Sequence, residues 1–345
     1  MNQILSFTPS SERFRAAISR INYIHSRYGD RITNEQLIYV LAVFACNPWI
    51  WADDWEWRKM NDLEIAAQGT FWLGVGQMMH INMDEIKGAG KADPRYLGSA
   101  TNAEKSSDGL ESTPKQTWVD GLDWMLDMRA YMRVQEDRSL GNSPDVESLV
   151  EETFRMILAP LPRLMEKPMR QIVSVMFEKR FREVSGSVRR TRMKTGTFPL
   201  ICSTLHSVPE PPKAIENMVI YLRLGIKYFR RYLGLPRPSF LTNRMISEKP
   251  DPTTGLYQVH IYEAYPYYVK PTLWRRWNPI AILRFLSGGD RPGDKPEKYH
   301  PEGYKVDELG PPRWQGKGKD WMADDVKRGR QVVPSGGTCP FGFTS

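Results

Sequence analysis

The stretch RINYIHSRYGD, residues 20–30, closes an amphipathic pattern that predicts a helix with a histidine on its apolar face. Five side chains share that face at spacings of four, three, four and three residues: Phe14, Ile18, Ile21, His25 and Tyr28. Thr8-Pro9 is a typical start signal, and Gly29 supplies the left-handed conformation that commonly ends a helix. A neutral imidazole on such a face needs hydrogen-bond partners for its ring nitrogens, or a metal ion.

Two capping-box patterns predict the next helices. Thr33 precedes Gln36 by three residues and should open a helix that ends at Cys46, because Asn47-Pro48 follows. Asn61 and Glu64 have the same spacing and open a second helix. Within that helix, GVGQ at 74–77 favours a packing contact over a phosphate-binding loop, since no strand precedes it.

Helical signals continue through the rest of the chain. Four later helices are predicted: about 117–138, one from Ser143-Pro144, 169–184 and 214–235. LYQVHIYEAY, at 256–265, is a candidate short strand, and strands do not alternate with helices. The predicted fold is therefore all-α.

The domain organisation follows from composition along the chain. We expect a single helical domain over residues 1–286 and an irregular, loop-rich C-terminal extension over 287–345, which is rich in Gly, Pro and Lys. Two stretches inside the domain, about 88–114 and 185–212, have the composition of loop insertions.

Composition and charge exclude several classes of protein. The chain has 345 residues, 41% of them hydrophobic and 26% charged, which is typical of a globular protein rather than a disordered one. Its net charge of +8 comes from basic residues that are interleaved with acids, except in VRRTRMK at 188–194. We expect no nucleic-acid partner, because neither a basic stripe nor a known reading module is present.

Cysteine usage and apolar runs limit the compartment and the membrane topology. Cys46, Cys202 and Cys339 are odd in number and form no C-x-x-C pair, so neither a disulfide framework nor a thiolate zinc site is indicated. The N-terminus lacks the pattern of a signal peptide. The longest apolar run, residues 37–52, is interrupted by Asn47-Pro48 and falls short of a membrane span.

The histidines leave the type of metal site open. None of the five histidines lies at helical metal-ligand spacing from another, and His300-Pro301-Glu302 is only a weak match to an iron site with two histidines and one carboxylate. A haem site needs only one axial histidine on a buried helical face, which His25 could supply. From the pattern alone, a hydrogen-bonded core histidine is the more common case.

Four tryptophans within nine residues carry a similar ambiguity: Trp49, Trp51, Trp55 and Trp57. They could line an apolar substrate channel or pack in the core, and the usual role of indole side chains favours packing.

Several unusual aromatic, Pro and Gly positions coincide in order with a known family. IHSRYGD at 24–30 with the following helices as far as residue 83, and the stretch from KPTLWRRWNPIAILRF to PPRWQGKGK at 270–319, resemble the fungal mpaB-type ER-bound oxygenases. The final CPFG also matches this group. That family resembles the latex-clearing (rubber oxygenase) proteins in its catalytic domain.

The resemblance implies an all-α oxidoreductase, an oxygenase in fungal secondary metabolite biosynthesis. It implies that dioxygen oxidises or cleaves an apolar alkenyl substrate of isoprenoid, meroterpenoid or polyketide type. It also implies haem b as cofactor, with His25 as the residue that matches the axial iron ligand. The implied location is the endoplasmic reticulum membrane, reached through a segment absent from this chain, and a cytoplasmic chain is the alternative.

Two other functions remain open. One is a degenerate, non-catalytic relative that binds apolar ligands or partner proteins. The other is a non-haem iron or cofactor-free oxygenase on the same fold.

Overall fold

The computed structural model describes residues 2–91, 93, 95, 118–139, 144–158, 161, 165–176, 211–234, 245–262, 265–286 and 288–332. Within these residues the chain forms twelve α-helices: α1 (Asn2–Ser6), α2 (Glu12–Ser26), α3 (Asn34–Trp55), α4 (Asp62–Met78), α5 (Gly121–Ser139), α6 (Pro144–Leu158), α7 (Glu166–Met176), α8 (Lys213–Tyr232), α9 (Leu273–Trp277), α10 (Pro279–Leu286), α11 (Pro296–Tyr299) and α12 (Lys319–Val332). The all-α prediction is confirmed.

The chain divides into two compact units. Unit 1 comprises Met1–Glu136 together with Lys305–Ser345, and unit 2 comprises Asp137–Tyr304. These units are defined by packing alone, and the domain organisation inferred from the sequence stays a prediction.

Unit 1 is built on one apolar cluster shared by α2, α3, α4 and α5. Its fully buried members include Phe14, Ile38, Ala42, Ile65 and Trp124. Burial of such side chains stabilises a fold by about 1.5–3 kcal/mol each. The helices that position the candidate histidine are therefore held by a common core.

The helix ends show where local sequence signals succeed. Thr33 and Asn61 both make complete capping boxes, as predicted. Helix α2 begins at Glu12 with Ser11 as its cap, and it ends at Ser26. Gly29 takes the predicted left-handed conformation, with φ of 52°.

The predicted end of α3 at Cys46 is wrong. The helix continues through Pro48 to Trp55, although proline removes one hydrogen bond and crowds the preceding turn. Cys46 and Trp49, on either side of the proline, are both buried in the apolar cluster. Their burial offsets the cost of the missing hydrogen bond.

Two glycines set the distance between α4 and α5. A Cβ added at Gly69 would lie 2.1 Å from the Gly121 carbonyl oxygen, and one at Gly121 would lie 2.0 Å from that of Ala66. Only glycine allows the two backbones to approach this closely.

The start of the predicted loop at 88–114 is tied to α5. The buried Asp127 carboxylate accepts hydrogen bonds from the backbone N–H groups of Gly88 and Gly90, and from the Trp118 indole. Gly90 is buried, so this part of the loop is not exposed as predicted. Most of residues 92–117, and residues 185–210 of the second insertion, lie outside the described residues.

The C-terminal extension returns to unit 1. Residues 305–332 include α12, which the sequence pattern did not predict, and α12 packs against α2 and α4. Arg20 of α2 is buried and donates to the carbonyl oxygens of Leu309, Trp314 and Lys317. These hydrogen bonds attach to α2 a segment that lies almost 300 residues later in the sequence.

Unit 2 contains α6 to α11. Helices α6 and α7 bury a small apolar cluster around Phe154, and α8 packs against α7. The candidate strand at 256–265 forms two isolated antiparallel bridges in its described part, at Tyr257 with Tyr304 and at Val259 with Ile246.

Candidate functional site

His25 lies in the last turn of α2 and is half-buried. Burial lowers its pKa below the ordinary histidine value. The imidazole is therefore neutral at neutral pH, which is the form that binds a metal ion. Within the described part of the chain, neither ring nitrogen has a hydrogen-bond partner.

The neighbours of His25 on α2 are apolar on one side and polar on the other. Ile21, one turn earlier, packs against the main apolar cluster. Asn22 is buried and donates to the Met78 carbonyl oxygen at 2.9 Å. Tyr28, the last residue of the predicted stripe, accepts a hydrogen bond from Arg313. His25 thus lies where the apolar core meets a polar network.

Helix α4 presents an opening on the side that faces α2. Gly74 is buried. A Cβ added there would nevertheless meet no atom within 4 Å apart from the adjacent residues and the nearby backbone of α4 itself. Phe71 and Met78 share its face of α4. Phe71 contacts Phe14 of α2 with ring centroids 6.0 Å apart, and Met78 accepts from Asn22.

The glycines of the GVGQ stretch therefore have different roles. A Cβ at Gly76 would lie 2.4 Å from Met83 and 2.6 Å from Leu41, so Gly76 makes the predicted packing contact. Gly74 leaves space instead. The contacts of Phe14 with Phe71 and of Asn22 with Met78 place this space opposite Ile18, about two turns of α2 before His25. An imidazole with no partner among the described residues is the kind of ligand that one axial position of a haem needs.

A buried polar cluster adjoins the same end of α2. The Asp325 carboxylate, from α12, accepts hydrogen bonds from Asn22 at 3.0 Å and from His80 at 2.8 Å. Arg328 is a third donor, at 3.3 Å. His80 follows α4 in the left-handed region, with φ of 58°. The half-exposed imidazole of His80 is thereby held by a buried carboxylate.

Sequence reasoning missed this cluster. Its members come from α2, from the end of α4 and from α12, and His80 is 245 residues from Asp325. No local spacing joins them. The only available signal was a histidine directly after the apolar helix α4.

Core packing, which the sequence favoured for the four tryptophans, holds for Trp49, whereas Trp51 and Trp57 are exposed. Trp49 is buried, and Trp51 and Trp55 stack on each other with centroids 5.4 Å apart. The Arg129 and Arg95 guanidinium carbons lie 4.3 and 5.2 Å from the Trp49 ring centroid. Desolvation lowers the pKa of Arg129. These contacts use the indole as a cation–π partner.

Cys46 is not a candidate nucleophile or metal ligand. Burial raises the pKa of its thiol to about 12, so the thiol stays protonated and unreactive. Cys202 and Cys339 lie outside the described residues.

The other described histidines do not form a metal site with carboxylates. His300 pairs with Glu302 of its own His-Pro-Glu motif, at 3.3 Å. His260 contacts Arg275. Among the residues that the structure describes, no three histidine, cysteine or acidic side chains converge as metal ligands. His206 lies outside them.

Comparison with known proteins gives three oxygenases. The chain is 26% identical over 344 residues to "ER-bound oxygenase mpaB'" of Penicillium brevicompactum. This alignment covers 99% of this chain and 70% of that protein. The chain is 24% identical over 336 residues to "ER-bound oxygenase mpaB" of the same species, covering 97% of this chain and 64% of that protein. The mpaB protein of Penicillium roqueforti is 24% identical over 185 residues, or 53% of this chain and 54% of that protein. No family model and no solved structure matches.

Proposed function

We propose that this chain, which belongs to the family of the mpaB-type ER-bound oxygenases, is itself an oxygenase that uses a haem held by His25. The observation that carries the proposal is the half-buried imidazole of His25, whose pKa is lowered by burial and which has no hydrogen-bond partner among the described residues. A link to the rubber oxygenases stays a prediction.

Haem b, when bound, would supply the iron at which dioxygen is activated. His25 would hold the iron through one ring nitrogen, and its lowered pKa keeps that nitrogen free of a competing proton. Phe14 and Ile18, on the same face of α2, would exclude water from the cofactor. Gly74 would let the cofactor lie close to α4.

We propose an apolar alkenyl substrate, such as a prenylated or polyketide-like molecule. The charged groups around α2 already have protein partners, because Arg20 donates to three carbonyl oxygens and Asp325 accepts from three side chains. They are therefore poor anchors for an anionic metabolite. The apolar side chains shared by α2 and α4 suit a hydrocarbon better.

We also propose that the protein works at the endoplasmic reticulum membrane, where an apolar substrate partitions. The names of the relatives support this location. Among the helices of the described residues, none is both long enough and apolar enough to cross a bilayer.

The test is an assay of the purified chain with hemin and a prenylated aromatic substrate. The proposal expects a Soret band, one haem per chain and dioxygen consumption that depends on the substrate. Ligand-induced changes in tryptophan fluorescence without dioxygen consumption would favour the degenerate relative. Turnover by a chain that contains iron but no haem would favour the non-haem oxygenase.

A further inference from the structure

Helices α9 and α10 display large apolar side chains to solvent. Their most exposed members are Leu273, Trp274 and Leu286, at 82%, 75% and 76% of full exposure. Trp277, Leu283 and Phe285 are also exposed. Asn278 joins the two helices and caps the second, since its side chain accepts from the Ala281 N–H. We call residues 273–286 the apolar hairpin.

The arginines of the hairpin point back into unit 2. Arg276 donates to the Pro292 carbonyl oxygen and pairs with Asp294 at 3.0 Å. Arg284 donates to the Tyr262 carbonyl oxygen, and its guanidinium carbon lies 4.6 Å from the Tyr262 ring centroid.

A third arginine, just beyond the hairpin, reinforces this arrangement. The Arg291 guanidinium carbon lies 4.0 Å from the Phe285 ring centroid and 5.0 Å from that of Trp277. The usual pattern of a surface helix, with apolar residues inside and charges outside, is thus reversed. The arginines fix the hairpin while the apolar side chains face outward.

The sequence of the hairpin and its flanks is basic, although Asp294 and Asp251 from neighbouring segments pair with Arg276 and Lys270. Residues 264–289 contain Lys270, Arg275, Arg276 and Arg284 but no aspartate or glutamate. Of these, Lys270 is more than half exposed and makes only a long contact with Asp251, at 3.5 Å. An exposed ridge of tryptophan and leucine within a basic segment is typical of helices that lie in the interface of anionic membranes.

We propose that the apolar hairpin inserts into the headgroup region of an anionic lipid bilayer and holds unit 2 against the membrane. Leu273, Trp274 and Leu286 enter the acyl boundary, where their apolar surface leaves water. Trp277 lies at headgroup depth, which its amphipathic ring favours. Lys270, which is more than half exposed beside the hairpin, adds attraction to the anionic headgroups. This inference rests on exposed side chains and does not depend on the proposed oxygenase activity.

The test uses the full chain and sedimentation with vesicles of phosphatidylcholine, with or without about one-third phosphatidylserine. We expect binding to the anionic vesicles that weakens as salt is added. The double variant Leu273→Ser, Trp274→Ser should bind at least about tenfold more weakly, because two large apolar groups are lost. Its circular dichroism and thermal midpoint should match those of the wild-type chain, since both side chains are exposed.

The matched control changes an exposed leucine and an exposed tryptophan of unit 1. Leu63→Ser with Trp57→Ser should leave vesicle binding unchanged. Quenching of tryptophan fluorescence by brominated lipid should also diminish in Trp274→Phe with Trp277→Phe. Oxygenase activity in detergent should survive in all these variants, which separates this inference from the proposed function.

Three results would overturn the inference. The wild-type chain could fail to sediment with anionic vesicles, or the hairpin variant could sediment as well as the wild type. Alternatively, the hairpin variant could abolish a dimer seen by sedimentation velocity without changing vesicle binding. That result would mean that the hairpin contacts a second copy of the chain instead of a membrane.

Discussion

The carboxylate of Asp325 and the imidazole Nε2 of His80 lie 2.8 Å apart, and this contact joins α12 to the end of α4. Asp325 also accepts from Asn22, three residues before His25 on α2. The C-terminal part of the chain therefore helps to fix the helix that carries the candidate ligand. The stability of unit 1 should depend on this buried carboxylate.

Replacing Asp325 with alanine should destabilise the chain by about 2–4 kcal/mol, because the buried amide of Asn22 loses an acceptor and the contact that holds His80 is removed. Chemical denaturation of the wild type and the variant measures this difference. Asp324→Ala is the matched control, since Asp324 is exposed on the same helix and forms a surface pair with Lys327; it should change stability little. An equal effect of the two substitutions would contradict the structural role of Asp325.

Gly74 and Gly76 should respond oppositely to alanine. Gly74→Ala should raise the free energy of unfolding of the cofactor-free chain by about 0.5–1 kcal/mol, because alanine favours a helix and the space is open. Gly76→Ala should lower it by about 1–3 kcal/mol, since its Cβ would strike Met83 and Leu41. Urea denaturation of both variants checks the pair, and a loss of stability in Gly74→Ala would show that the opening is absent.

A larger side chain at Gly74 should reduce haem uptake without unfolding the protein. Gly74→Phe would fill the opening beside α2, so hemin titration should show weaker binding than in Gly74→Ala. Circular dichroism would confirm that the helical content is retained. Unchanged hemin affinity in the phenylalanine variant would place the cofactor elsewhere.

The stability of the cofactor-free chain should fall with acidification partly through His25. Burial lowers the pKa of His25 in the folded state, so the unfolded state binds more protons below about pH 6.5. The free energy of unfolding therefore decreases as the pH falls through that value. His25→Gln should reduce this dependence. Denaturation at about pH 7.5 and about pH 5.5 measures the slopes, and identical slopes in His25→Gln and wild type would refute the assignment.

Local signals in the sequence predicted much of the helical framework. Thr33 and Asn61 cap helices as expected because a capping box involves only four neighbouring residues. The end of α3 was missed because burial of Trp49, a tertiary effect, outweighs the local effect of Pro48.

The candidate site could be predicted only in part. The spacing of Phe14, Ile18 and His25 identified the face of α2, but the burial of His25 is less complete than that of the first two. Asp325 joins the site through contacts between residues about 300 positions apart, as does Arg20 with the segment after Leu309. Such contacts leave no periodic signal in a single sequence.

The haem content of His25→Ala tests the central claim most directly. His25→Ala and the control His260→Ala, which removes an exposed histidine of unit 2, are reconstituted with hemin beside the wild type. Haem per folded chain and the Soret spectrum are then measured on the same preparations. The account predicts that His25→Ala loses or markedly shifts the Soret band while His260→Ala keeps that of the wild type. Full haem occupancy with an unchanged spectrum in His25→Ala would contradict it.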